Sequence, residues 1–138
     1  MSQRENILAA VTTLLTGVSG ATVYRSREAP VDRTEGVTIV VAPEEESVEL
    51  KGSGQGLVLR SLTIVIRVIT RGAIPDQVAD PYLVSAHGLL MANATLGGLA
   101  ALITETSTRF DFEMADQTAL ATELRYEIRY HTLASSLT

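Results

Sequence analysis

Hydrophobic and polar positions alternate most strictly near the end of the chain, in "ELRYEIRYHT", Glu123 to Thr132. Leu124, Tyr126, Ile128 and Tyr130 fall on one parity, with Glu123, Arg125, Glu127, Arg129 and His131 on the other. A period of two predicts a strand with one buried face. "LVLRSLTIVIRVITR", Leu57 to Arg71, repeats the pattern over a longer run. Leu62, Ile64, Ile66 and Val68 share one face, Ser61, Thr63, Arg67 and Arg71 share the other, and Val65 and Ile69 are apolar exceptions on the polar side. "ALITETSTRFDFEMA" also alternates, with Phe110, Phe112 and Met114 opposed to Arg109, Asp111 and Glu113. "DQTA" is expected to turn it back onto the final strand. Two shorter strands are predicted at Ala21 to Arg27 and at the β-branched "VTIVVA", Val37 to Ala42.

Helical spacing appears twice. Ser2 and Glu5 form an S-x-x-E capping box ahead of Ile7, Val11, Leu14 and Val18, and Gly17 and Gly20 offer stops. A second helix is expected from Asp80 as cap and Pro81 in its first turn, through Tyr82, Ala86, Leu89, Leu90 and Asn93. "TLGG", Thr95 to Gly98, ends it. Two polar stretches read as loops: "REAPVDRTEG" with Pro30, and the acidic then glycine-rich "PEEESVELKGSGQG" from Pro43 to Gly56. The order α-β-β-β-α-β-β predicts one α+β domain over residues 1–138. Its sheet, mainly antiparallel with four to five strands, packs two helices on one face.

Composition adds limits. The chain has 138 residues, 46% of them hydrophobic, enough for a packed core. It has no cysteine, which excludes disulfides and thiolate metal sites. The net charge of −5 argues against general phosphate binding, which depends on clustered cations. Lys51 is the only lysine, so positive charge is almost wholly arginine, whose planar fork suits paired carboxylates. The N-terminus reads as a helix and not an export signal, because Glu5 follows Arg4 and Thr12 and Thr13 interrupt the apolar run. No segment is long enough to span a membrane.

Candidate chemistry is sparse. "GSGQG" (Gly52 to Gly56) leads into a β-branched run instead of a helix start, so a hairpin tip is preferred over a phosphate cradle. The glutamates Glu44, Glu45, Glu46 and Glu49 match no standard calcium spacing. His87, on a helix near Tyr82 and Asp80, reads as a structural histidine, and His131 as a surface one. No catalytic set, cofactor site or metal site is predicted.

From Asp76 onward, "DQVADPYLVSAHGLLMANATLGGLA" and the closing strand resemble the phage tail terminator family, the lambda-type minor tail protein U and its relatives. The residues carrying the likeness are Asp80, His87, Leu90, Met91, Leu96, Gly97, Gly98, Tyr126, Tyr130 and Thr132. The resemblance implies a virion structural subunit, assembled in the host cytoplasm, that forms a hexameric ring at the head-proximal end of the tail. Such a ring stops tube polymerisation, meets the major tail tube protein and the head–neck connector, and lets DNA pass without sequence-specific binding. Two other readings stay open: a neck or tail-completion ring protein, and a small-ligand-binding or enzymatic α+β domain with a cleft near His87 and Tyr82. On the ring reading, Val65, Arg67, Ile69, Glu123, Arg125, Glu127 and Arg129 form the subunit interface. Glu44, Glu45, Glu46, Glu49 and Lys51 form a mobile loop contacting tube or connector.

Overall fold

A computed structural model describes residues 1–32, 34–50, 56–114 and 118–138. Along the chain lie α1 (Gln3–Leu15), β1 (Ala21–Arg25), β2 (Val37–Leu50), β3 (Leu57–Arg71), α2 (Pro75–Ala92), a 3-10 turn (Leu96–Gly98), β4 (Leu102–Met114) and β5 (Thr118–Leu133). The five strands form one sheet in the order β1-β2-β3-β5-β4, parallel only between β1 and β2.

Register explains why the helices sit on one side. Val41 pairs with Ile66 and Ile66 with Leu124, while Ile64 pairs with Tyr126 and Leu62 with Ile128. Directly opposed residues share a face, so Val41, Ile66 and Leu124 form one apolar row across three strands, with the Ile64–Tyr126 and Leu62–Ile128 pairs beside it. Ile7, Leu8, Val11 and Leu15 of α1 and Ala86 and Leu90 of α2 join them in one buried cluster. Each large aliphatic side chain so buried contributes about 1.5–3 kcal/mol. The expected α+β domain, with both helices on one face, is what forms.

Local chemistry sets the helix boundaries. The Ser2 hydroxyl accepts the Glu5 N–H at 3.1 Å, the predicted cap of α1. Glu5 then receives both terminal nitrogens of Arg25 at 2.8 and 2.9 Å, tying α1 to β1. α2 begins earlier than the spacing suggests. Pro75, not Pro81, occupies the first turn, and Asp80 and Pro81 lie inside the helix. Pro75 is buried and its carbonyl accepts the Thr70 hydroxyl at 2.8 Å, which anchors the start against β3. Pro81 and Gln77 are both exposed, so the carbonyl that loses its helical donor at the proline belongs to a residue on the solvent side of the helix. The expected turn after α2 is present, with Gly97 and Gly98 at φ of 69° and 97°, conformations that side-chain-bearing residues avoid.

The stretch from Pro43 to Leu50 is strand, not loop, a correction to the pattern reading. β2 stays paired with β3 as far as Leu50, through a bulge between Pro43 and Glu45. A bulge tolerates proline, which has no N–H for the ladder, and it turns the following residues onto new faces. Glu46 thereby faces the helices opposite Leu62. There it accepts the Tyr130 hydroxyl and lies 3.2 Å from Arg4 and 3.4 Å from Arg60. Arg60, itself buried, donates through Nε to Thr132 at 2.8 Å. An acidic run reads as solvated loop, yet these partners let one glutamate enter the interior.

Replacing Ile64 with alanine should cost about 2–5 kcal/mol in urea unfolding, and Ser2→Ala about 1 kcal/mol, because the first opens a cavity beneath the helices and the second removes one cap.

Candidate interaction face

The helix-free side of the sheet holds all seven residues expected at a subunit interface. Val65 pairs with Arg125, Arg67 with Glu123, Ile69 with Ala121, Thr63 with Glu127 and Ser61 with Arg129. Because β5 alternates buried and partly exposed positions from Ala121 to Arg129, its charged parity points away from the core throughout.

These charges are already paired within the chain. Arg125 donates through Nε to Glu44 at 2.9 Å, spanning β3 at the level of Val65. The same guanidinium lies 3.5 Å from Glu123, which in turn is 3.4 Å from Arg67. Glu44, Arg125, Glu123 and Arg67 form one neutral chain across three strands, and Arg129 pairs with Glu127 at 2.6 Å. Exposed pairs of this kind contribute about 0–1 kcal/mol each, so their main effect is to orient. Val65 and Ile69 remain half-buried among them.

The parallel β1–β2 pair requires the chain to travel back between them, and Arg27 to Val31 of that crossing lie over this face beside Val40 and Ile69. Arg27 pairs with Glu35 at 2.8 Å, Arg71 donates to the Val31 carbonyl, and the Ser26 N–H reaches the Val41 carbonyl at 2.8 Å. Arg27 holds the Glu35 carboxyl down at about 2. Two open grooves flank the crossing. One, of about 350 Å³, has Val40, Ile69, Ala119 and Ala121 along its floor and Asp111 and Glu113 on its far wall. The other, of about 590 Å³, lies over Val40, Ala42 and Val65 beside Glu123 and Arg125. The sequence reading missed both grooves. Their one legible signal is "TALAT", where small alanines occupy successive outward positions.

The four glutamates assigned to a contact loop separate. All lie in β2; Glu44 joins the outer ion-pair chain, Glu45 and Glu49 are exposed on the same side, and Glu46 is turned into the core. Lys51 falls outside the described residues. His87 and Tyr82 also part. His87 Nδ1 is 2.7 Å from the Tyr126 hydroxyl, with its ring stacked on that tyrosine, and Nε2 is 3.8 Å from Glu105. Tyr82 lies instead against Gly20 in the α1–β1 connection. Asp80 is exposed, and so is His131 at the far end of the outer face. Among the described residues, no three metal-ligating side chains come together, and no helix is long and apolar enough to cross a membrane.

Burial, then the Glu105 charge, pushes the Tyr126 hydroxyl up to about 12. Burial and the bond to Glu46 do the same for Tyr130, also to about 12. Raised folded values favour the neutral form, so stability is complete below the ordinary tyrosine range near 10 and falls as pH rises toward 12. Absorbance at 295 nm should show late-ionising tyrosines that disappear singly in Tyr126→Phe and Tyr130→Phe. Urea midpoints of the unaltered protein should fall between about pH 10 and 12.

No family model matches the chain, and no curated protein matches it.

Proposed function

We propose that the chain is a structural subunit of a phage tail terminator ring, most simply a hexamer, acting by binding and not by turnover. The observation that carries this reading is the asymmetry of the sheet. Both helices cover one side, while the other bears half-buried Val65 and Ile69 framed by arginine–glutamate pairs. Head-to-tail closure joins two different patches, and a face with apolar floor and mixed charge supplies one of them. Apolar burial at Val65 and Ile69 provides affinity, and the surrounding charges set register. The two grooves beside Arg27 and Glu28 of the crossing give a neighbouring protomer relief to fill.

On this reading the ring caps the major tail tube protein, ends its polymerisation and presents a surface to the head–neck connector. Acidic net charge suits a channel through which DNA slides without being held. The likeness of the α2 region and closing strand to tail terminators supports the same role.

Light scattering across protein and salt concentrations tests the face. Arg125→Glu with Arg129→Glu should lower the mass of the assembly, and Ile69→Asp should do so while leaving the outer ion pairs in place. An unchanged mass for both variants would remove this face from the interface. Electron microscopy of particles lacking the protein tests the role: overlong tails indicate a terminator, whereas finished tails beside unattached heads indicate a neck adaptor.

A further inference from the structure

The two edges of the sheet are unlike. β1 is five residues long, whereas β4 runs for thirteen and is exposed at every position except Ile103. A bulge between Glu105 and Ser107 interrupts its first half. Beyond it, Ser107 through Met114 pair with Arg125 through Thr118 in unbroken register. The opposite edge of that straight segment therefore offers backbone donors and acceptors that no strand among the described residues takes. Native edges are usually protected by charges on the covered side, by proline or by twist. Here the helix-side positions are Thr108, Phe110, Phe112 and Met114, with no charge among them. Both phenylalanines are 55% exposed and Met114 is 84% exposed. Single exposed apolar residues are ordinary, but consecutive same-face residues on a bare edge form a strip.

We propose that this segment pairs with the same segment of a second copy, antiparallel, about a two-fold axis through Phe110. The side chains select both occupant and register. With the axis at Phe110, each Arg109 lies opposite the Asp111 of the other copy, Phe110 meets Phe110, and Thr108 meets Phe112. Directly opposed opposite charges and aromatic pairs stabilise antiparallel strands, and like charges oppose them. No neighbouring axis pairs unlike charges without also opposing like ones. An axis at Asp111 brings Arg109 opposite Glu113 but sets aspartate against aspartate at its centre, one at Arg109 sets arginine against arginine, and one at Phe112 sets Asp111 against Glu113. An axis at Thr108 runs into the bulge. Arg109 and Asp111 are exposed, and among the described residues neither has an ion-pair partner within its own chain. They are therefore available across the axis. The product is a continuous ten-stranded sheet formed by strand addition, with the helices of both copies on the same side.

This contact uses one patch twice and is distinct from head-to-tail ring closure, which uses two. It does not depend on the ring reading.

The chain contains no cysteine, so introduced thiols report position cleanly. Under mild oxidation Phe110→Cys should form a disulfide-linked two-chain species. Thr108→Cys should link to Phe112→Cys only when the two variants are mixed, which tests the register with Phe110 intact. Sedimentation equilibrium should show Arg109→Asp and Asp111→Arg each weakening dimerisation by about tenfold or more, with the double exchange restoring it. Arg125→Glu, on the other face, should leave this contact unchanged. The proposal is overturned if circular dichroism shows folded Phe110→Cys that stays single-chain. It is equally overturned if Asp111→Cys alone links more readily than the mixed pair, or if Arg109→Asp leaves self-association as it was.

Discussion

One-sided packing of the sheet is the constraint on which the molecule depends. The rows running through Val41, Ile66 and Leu124, and through Ile64 and Tyr126, must stay aligned for α1 and α2 to share a floor. A slip of one residue in any strand would exchange its apolar and charged sets between faces. That alignment also decides the opposite surface. The residues excluded from the core by register are the ones that assemble into the outer ion-pair chain, so core and candidate interface are two consequences of one pairing.

The buried polar groups confirm how tightly that floor is specified. Glu46 enters the helix-covered side only because Arg4, Arg60 and Tyr130 surround it. Removing one partner would leave charge stranded in a poorly solvating interior, so the cluster links α1, β2, β3 and β5 as a unit. His87 with Tyr126 performs a similar service for α2, fixing it over β5. Residues that look like chemistry in one dimension serve as cross-links in three.

The outer surface has a graded character. Near β2 and β3 it is roofed by the crossing segment held through Arg27–Glu35 and Arg71. Across β3 and β5 it is charge-paired, and toward β4 it opens onto an edge with uncommitted backbone. A subunit so arranged has two separate ways to meet other chains: a face with side-chain relief and an edge with hydrogen-bonding capacity. They differ in symmetry, and each can operate without the other.

Much of this was legible along the chain. Period-two alternation identified β3, β4 and β5 and sorted their faces, since burial on one side leaves a direct imprint on sequence. The Ser2–Glu5 cap and the glycine turn after α2 are local chemistry, complete within a few residues, and they too were legible. The extension of β2 through Pro43–Leu50, the true start of α2 at Pro75, the placement of Arg27 to Val31 over the outer face and the grooves were not. Each of these depends on partners distant in sequence: arginines that neutralise Glu44 and Glu46, a threonine on β3 that receives Pro75, a carbonyl at Val31 that meets Arg71. The sequence by itself determined which faces are apolar, how α1 is capped and where α2 ends, because those follow from the order of neighbouring side chains. Only the tertiary structure decided which charges pair, which edge stays open and how the face is shaped, because those energies exist only between residues that folding brings together.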